Sequence, residues 1–541
     1  MTWVLTVGTI AISVNISPSY STDPINLPKL LILVPVSFFS FGFLLSHLEA
    51  FSNKHLRFFL SLAALFIAQS LISLFFSGSP FLQQFFGAQG RNTGFLAYLS
   101  FVLIFLASIL LSDKSSRKKI AYALLATGGA SVIYGLIQIG GNDPIGWRNP
   151  YSPVIAFLGN PNFSSSFIAI SSTVLMVVFL SNTRNIFLWI IVPAAFVVIG
   201  FVIHKTGSQQ GFLVLALANA LVILVYMFKS EKVKKIYTAA FASIVVTAGA
   251  IAVFGILQIG PLSDLLYKDS VRQRGYYWNA AFEMMTSHPL TGIGLDSFGD
   301  WYFEMRSADA ALKSLTVQSN AAHNVFLDIG SNGGFILFIL YLIIVVSIFY
   351  LGIRNILRME KFDPFYTAIF ASWVGYQAQS VISINQIGLA IWGWVLGGLI
   401  VGGYIETNNK IEFRSKVIST NQRFLILPAT LGVIGLILSF LPYRADHEFR
   451  KASTLRDGVA VMNSLQVFPK DTGRMLMAAN IFLQSNLPDQ AIAIAREITV
   501  MNPRDYNAWL LLVEKLPKDS EERINALKNL NRLNPRDIRA Q

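Results

Sequence analysis

Apolar runs alternate with short polar connections along almost the whole chain. Each run contains few or no charged residues. The thirteen runs lie at 3–16, 30–48, 58–76, 94–111, 120–139, 163–180, 186–203, 212–228, 237–259, 326–352, 365–382, 387–404 and 424–441. All but the first are long enough for a hydrocarbon layer about 30 Å thick. We therefore predict an all-α, polytopic membrane protein with about 12–13 transmembrane helices, since a helix satisfies its own backbone hydrogen bonds in lipid.

The first run, at residues 3–16, is open to a second interpretation as a signal peptide. No Lys or Arg precedes it, and no clear small-residue cleavage site follows it. Both features are typical of signal peptides, so their absence favours a membrane span.

Composition supports the membrane class. The 541 residues are 54% hydrophobic and 13% charged, which is unusual for a soluble protein. The chain has no cysteine. Disulfides, cysteine-ligated zinc and thiol nucleophiles are therefore excluded.

Basic residues are concentrated in alternate connections and account for much of the net charge of +13. Because cytoplasmic loops of membrane proteins are enriched in Lys and Arg, we expect these connections to be cytoplasmic. The residues are Lys54, Arg57, Lys114, Arg117, Lys118, Lys119, Arg184, Lys229, Lys232, Lys234, Lys235, Arg354, Arg358, Lys361, Lys410, Arg414, Lys416 and Arg423. The short connections on the opposite side hold only Lys29, Arg91, Arg148 and Lys205. This topology explains the charge without nucleic acid, and it places the loop at 262–327 and the C-terminal tail outside.

The tail is polar and helix-forming, and we predict domains at 1–442 and 443–541. The tetrapeptide FPKD at Phe468 is followed by NPRD at Asn502 and Asn534, at intervals of 34 and 32 residues. That period suits tetratricopeptide-like helix pairs, in which proline separates one pair from the next. The alternative is an irregular helical tail. The repeats suggest a protein partner.

The long polar loop holds most of the concentrated polar chemistry, and we predict a catalytic region at about 262–325. It begins with Arg272 and Arg274 and ends with His323 and Asn324, where the next apolar run starts. Ionisable groups beside hydrocarbon are costly and usually functional.

Arginines near a polar pocket indicate an anion, because the guanidinium fork matches pairs of phosphate oxygens. We expect Arg91, Arg272, Arg274 and Lys205 to bind a diphosphate. On a helix, Arg274 and Trp278 would share a face, which predicts a stacking contact. The alternative for each single cation is that it extends to the lipid headgroups.

His323 is the candidate general base, because an imidazole accepts a proton near neutral pH. Alternatively it is an ordinary polar residue at a helix start. His288 lies in a turn and is interpreted as structural. Asp296, Asp300 and Glu304 form no recognisable metal cluster, so we predict no metal and no cofactor. Cationic side chains would then stabilise a departing phosphate.

These motifs, taken in order, resemble the O-antigen ligase and O-antigen polymerase superfamily, which also includes bacterial O-linked oligosaccharyltransferases. The segments that carry the resemblance are the turn at Arg91, GNPN at 159–162, TGSQQG at 206–211, HPLTGIGLDSF at 288–298, and AHN at 322–324 with Gly334 beyond it. The resemblance covers roughly residues 30–404. It departs from the family at Gln209 and Gln210, where an arginine is common, and at Ser331 and Asn332, where an acidic residue is usual.

The resemblance implies a GT-C type fold and an inverting, metal-independent membrane glycosyltransferase. Such an enzyme passes a glycan from undecaprenyl diphosphate to a hydroxyl acceptor on a glycan, lipid or protein, at the outer face of the bacterial plasma membrane. By position, Arg272 and Arg274 resemble the diphosphate-binding arginines, and His323 resembles the essential histidine. We expect further substrate contacts from Trp278, Asn324, Gln209, Asn160 and Asn162.

Other functions remain open. A protein oligosaccharyltransferase would share this core, and a transporter or flippase would use the same cavity. However, the sequence shows no charged relay inside the membrane and no inverted repeat, which are common in transporters. A membrane-anchored scaffold would explain the tail but not the loop.

Overall fold

The computed structural model describes residues 1–47, 49, 53–111, 113–147, 152, 154–256, 269–313, 316–408 and 425–536. Several residues used in the predictions lie outside these ranges. They are the beginning of the loop at 262–268, Arg148, the basic residues at 410–423 and Asp537 of the last motif.

The described residues form helices and contain no strand, so the predicted all-α fold is confirmed. The first ten helices are α1 (Thr2–Val14), α2 (Asn26–Leu45), α3 (Lys54–Phe76), α4 (Phe81–Phe86), α5 (Phe95–Leu110), α6 (Lys114–Ile139), α7 (Pro161–Ser181), α8 (Leu188–Lys205), α9 (Gln209–Lys229) and α10 (Lys235–Ile256). The others are α11 (Asp269–Ser287), α12 (Phe298–Met305), α13 (Ala308–Lys313), α14 (Val325–Arg358), α15 (Pro364–Ser380), α16 (Ile387–Asn408), α17 (Ile426–Leu455), α18 (Gly458–Leu465), α19 (Thr472–Gln484), α20 (Pro488–Met501), α21 (Tyr506–Lys515) and α22 (Glu521–Leu533).

Each predicted apolar run coincides with a helix, which confirms a multi-pass membrane protein. Nine helices in the described ranges are long and apolar enough to cross a membrane: α2, α3, α6, α7, α8, α9, α14, α16 and α17. Three shorter apolar segments, α1, α5 and residues 235–251 of α10, bring the number close to the predicted 12–13.

Polar residues at the ends of the apolar runs define several helix starts. The side chains of Asn53, Asp113, Asn160, Asn324 and Asp363 each accept a backbone N–H from the first turn that follows. These bonds satisfy donors that a helix start otherwise leaves unpaired. The residues therefore set where a helix begins.

Helix α16 lies at the centre of the bundle and is buried along its length. It packs against α1, α5, α14 and α15. A neighbouring group, α7, α9 and α15, is joined by polar contacts, including Thr173 Oγ1 to Ser372 Oγ at 2.6 Å and Asn219 Nδ2 to Ser172 Oγ at 2.7 Å. In lipid, hydrogen bonds of this kind contribute to helix association.

Helix α17 connects the membrane bundle to the tail. It packs along α2, with a close approach where a Cβ on Gly42 would lie 2.4 Å from Pro428 Cα. The helix continues through residue 442, so the predicted domain boundary falls inside it. Helices α18–α22 follow and pack on one another in sequence. The tetratricopeptide-like repeat stays a prediction.

Candidate active site

A turn of the loop inserts into a kink of α14 and fixes the loop to the bundle. At Gly334 the backbone leaves the helix, with φ +78° and ψ 179°. The kink exposes two carbonyls of α14. The Ser331 carbonyl accepts the N–H of Ile293 at 2.9 Å, and the Asn332 carbonyl accepts the N–H of Gly294 at 3.1 Å. This kink depends on glycine at position 334, because φ above zero is strained for other residues. The turn therefore holds α11 and α12 against α14.

Arg91 lies in a buried ion-pair network between the turn at 88–93, the loop and α14. Its Nε is 2.9 Å from Asp296 Oδ1, and its Nη2 is 2.9 Å from Asp328 Oδ2. The three residues are 4%, 4% and 1% exposed, respectively. The two carboxylates therefore balance the positive charge of the guanidinium inside the protein. Arg91 was expected to bind diphosphate, but this geometry gives it a structural role.

The network also holds the segment that carries His323. Arg91 Nη1 donates to the Asn320 carbonyl at 3.0 Å, and Asp328 Oδ1 accepts the N–H of Ala322 at 3.1 Å. These bonds fix the backbone on the N-terminal side of His323. On the other side, Asn324 caps α14 by accepting the N–H groups of Phe326 (3.0 Å) and Leu327 (3.1 Å). The Asn324 oxygen is thus used in a cap, although a substrate contact was expected.

His323 adopts a left-handed backbone conformation, with φ +51°. Its imidazole packs against the ring of Tyr277 on α11, with ring centroids 5.2 Å apart. No hydrogen bond joins this imidazole to another residue in the described ranges. Burial, followed by the positive charges of Arg274 and Arg91, lowers the pKa of His323 to about 3. The ring is therefore neutral near pH 7, and a nitrogen remains available to a ligand.

Arg274 lies on α11, one turn before Tyr277, and its charge acts on both Tyr277 and His323. The side chain is half-buried. Within the described residues it forms no hydrogen bond and no ion pair. Burial lowers the pKa of Arg274, although an arginine stays protonated. A half-buried cation without a counter-ion is well suited to bind an anionic ligand.

Two expected partners of Arg274 lie elsewhere. Arg272 is exposed, and its charge acts on Asp309, a residue that accepts a hydrogen bond from Tyr276 at 2.7 Å. Residues two apart on a helix do not face the same direction, which separates Arg272 from Arg274. The predicted stacking of Arg274 on Trp278 is wrong, since no ring contact joins them in the described structure.

The other predicted substrate contacts lie near the starts of α7 and α9. Asn160 caps α7 by accepting the N–H of Asn162 at 2.8 Å. Gln210, beside half-buried Gln209, donates to Ser166 Oγ at 3.0 Å. Lys205 is exposed, and its ammonium lies 5.6 Å from the centroid of the Phe201 ring. In the structure, Asn160 and Gln210 thus form hydrogen bonds within the protein, and Lys205 lies beside an aromatic ring.

Sequence reasoning missed two residues that shape the site, Asp328 and Tyr277. Asp328 was hidden in an apolar run, although a carboxylate in such a run was itself a signal of a buried partner. Tyr277 carries no charge and belongs to no motif that singles it out in the sequence. No group of three or more His, Asp or Glu residues in the described part of the chain is placed to hold a metal ion.

Residues 168–342 match the family model described as O-antigen ligase. The matched region begins in α7 and ends in α14, and it includes Arg274 and His323 but not Arg91. No curated protein matches the chain. This match supports an O-antigen ligase-like role in glycan transfer at a membrane. Residues 168–342 of the chain are thus similar to the O-antigen ligase family of membrane glycan-transfer proteins.

Proposed function

We propose that the protein is an inverting, metal-independent glycosyltransferase. It takes a glycan from an undecaprenyl-diphosphate-linked donor and transfers it to a hydroxyl acceptor during ligation or polymerisation of surface polysaccharide. The observation that carries the proposal is the pair formed by Arg274 and His323. A half-buried cation without a counter-ion lies beside a neutral imidazole without a hydrogen-bond partner, among the described residues.

In this mechanism Arg274 binds the diphosphate, and His323 accepts a hydrogen bond from the acceptor hydroxyl. The acceptor oxygen forms a bond to the anomeric carbon as the bond from that carbon to the diphosphate oxygen breaks. The hydroxyl proton moves to His323, and the electron pair leaves with the lipid diphosphate. Attack from the side opposite the leaving group inverts the anomeric centre. Arg274 then stabilises the charge that develops on the departing oxygen.

The remaining predicted residues take supporting roles in this proposal. Arg91 is a positioning residue that holds the backbone before His323 through Asn320 and Asp328. Arg272, exposed at the beginning of α11, would contact the donor outside the reacting centre. The distribution of basic residues supports a reaction at the outer face, because the predicted cytoplasmic clusters alternate with the connections that carry the site.

The test is glycan transfer by purified full-length protein in lipid nanodiscs, with a labelled polyprenyl-diphosphate sugar and a hydroxyl acceptor. We expect His323→Gln and Arg274→Gln each to lower turnover by about 100-fold or more, the usual range for a general base or a charge-stabilising donor. Matched controls are His447→Gln and Arg354→Gln, two half-buried residues outside the loop.

Near-normal turnover of His323→Gln would contradict the general-base role of His323. Near-normal turnover of Arg274→Gln would contradict the diphosphate-binding role of Arg274. Activity that disappears in chelator and returns with a divalent cation would contradict the metal-free mechanism. Retention of configuration in the product would contradict the single displacement.

A further inference from the structure

The NPRD motifs of the tail contact the short helix α12 of the loop. In the first motif, the guanidinium of Arg504 lies 3.2 Å from the centroid of the Trp301 ring and forms an ion pair with Glu304. Asn502 of the same motif forms a hydrogen bond with Asp300. One face of α12 is therefore held by the asparagine and the arginine of a motif that recurs in the tail.

The second motif contacts the end of the same helix. Asn534 Oδ1 accepts a hydrogen bond from Arg306 Nη2 at 3.0 Å. Arg536 Nη1 donates to the backbone carbonyls of Glu304 at 2.9 Å and Arg306 at 2.5 Å. Arg306 is 0% exposed, so this contact excludes solvent from the helix end. The last carbonyls of a helix lack partners within the helix, and cationic side chains stabilise them there.

Packing between the two motifs continues the same surface. Tyr506, directly after the first motif, packs at a tilt against Phe303 of α12, with ring centroids 4.6 Å apart. The earlier FPKD motif differs, because Phe468 faces Phe86 of α4 at 6.5 Å and not α12. The two NPRD motifs thus form the surface that holds α12, which we name the α12 clamp: Asn502, Arg504, Asn534 and Arg536.

Helix α12 joins this clamp to the candidate active site. The ring of Tyr302 packs edge-on against Tyr277, with centroids 5.5 Å apart. Tyr277 in turn packs on His323 at 5.2 Å. Tyr302 is 0% exposed and Tyr277 is 8% exposed, so both rings are enclosed by protein atoms, and packed interiors transmit displacements. A displacement of α12 would therefore move the ring that supports the imidazole.

We propose that the tail clamps α12 and thereby positions His323, with Arg504 and Arg536 as positioning residues. The catalytic part of this inference rests on the proposed function, whereas the clamp itself does not. The arginines and asparagines of the two NPRD motifs are directed at the loop of the membrane domain.

The test uses full-length protein in nanodiscs and the variants Arg504→Ala, Arg536→Ala and the double variant. Arg504→Lys is the conservative variant, because lysine keeps the charge opposite Glu304. Arg496→Ala is the matched control, since Arg496 forms an exposed ion pair with Glu522 inside the tail at 2.6 Å. Hydrogen exchange of residues 298–313 reports the clamp, exchange of α16 reports the fold, and transfer kinetics report positioning.

We expect the double variant to raise exchange in α12 by about tenfold or more, with α16 unchanged, because locally opened segments exchange faster. Its kcat should fall by about tenfold to 100-fold with KM for the donor nearly unchanged, since a misplacement of about 1 Å can cost that much. Arg504→Lys should recover part of the loss, and Arg496→Ala should match wild type.

Unchanged exchange of α12 in the double variant would overturn the clamp. Faster exchange with an unchanged kcat would overturn the positioning role, because α12 would then move without consequence for His323. If wild-type protein transfers no glycan, the proposed function fails, and the exchange measurement alone still decides whether the clamp exists.

Discussion

Replacing Arg91 by methionine should destabilise the protein strongly, because it leaves two buried carboxylates without their cation. Arg91 is 4% exposed and lies 2.9 Å from both Asp296 and Asp328. Removing one partner of a buried ion pair costs about 3–5 kcal/mol. Total stabilities are commonly about 5–15 kcal/mol, so this is a large part of the whole.

A neutral triple variant separates the charge effect from the shape effect. The variant combines Arg91→Met, Asp296→Asn and Asp328→Asn. No buried charge is then left without a partner, so most of the lost stability should return, as for other buried ion pairs replaced by neutral groups. Arg117→Met is the matched control. Arg117 is also 4% exposed, but its partners Asp363 and Glu406 are 23% and 27% exposed and remain hydrated without it.

The assay is chemical unfolding in detergent micelles followed by tryptophan fluorescence, with donor KM measured on the folded fraction. A free energy of unfolding for Arg91→Met within about 1 kcal/mol of wild type would refute the reasoning, since a stranded buried carboxylate costs more than that. A large rise in donor KM without loss of stability would instead return Arg91 to the diphosphate-binding role.

Two further predictions concern His323 and Gly334. Because the pKa of His323 is about 3 in the folded protein and 6.5 when unperturbed, the unfolded state binds the extra proton between these values. The free energy of unfolding of the wild type should therefore fall as pH drops below 6.5, with up to about 1.4 kcal/mol per pH unit due to His323. In the same unfolding assay, His323→Gln should show a smaller fall between pH 7 and pH 5. Gly334→Ala should lower stability by about 3 kcal/mol or more, because φ is +78° and the added Cβ would lie 2.6 Å from the Pro289 carbonyl oxygen. The control is Gly129→Ala, in open space on α6, which should be neutral or stabilising. Equal stability of the two variants would contradict the kink argument.

The membrane fold could be predicted from the sequence because its cause is local. An apolar run of about 20 residues becomes a helix in lipid whatever its neighbours are, so each run coincides with a helix. The capping residues Asn160 and Asp363, each directly before a proline, also mark their helix starts within the sequence. The cap role of Asn160 was not recognised in the sequence. Because Asn160 lies in a polar loop, it was expected to contact the substrate.

The role of Arg91 could not be predicted, because its partners are remote. Asp328 is 237 positions away, and only the folded bundle brings the two together. An arginine beside a polar loop has the same appearance in sequence whether it faces a ligand or a buried carboxylate. Arg272 is different, because the helix that was assumed for Arg274 and Trp278 already implies that Arg272 points away from Arg274.

The electrostatics of the pair formed by Arg274 and His323 suit a base that becomes stronger when the donor binds. Burial and the nearby cations lower the pKa of His323, which keeps the imidazole unprotonated but makes it a weak base. Under the proposed mechanism, the diphosphate brings two negative charges to Arg274. These charges offset the field that depresses the pKa of His323, since an opposite charge nearby favours the protonated imidazole. Proton transfer to His323 is then easiest when a glycan is in place to be transferred, and the same arginine accounts for donor binding and for this coupling.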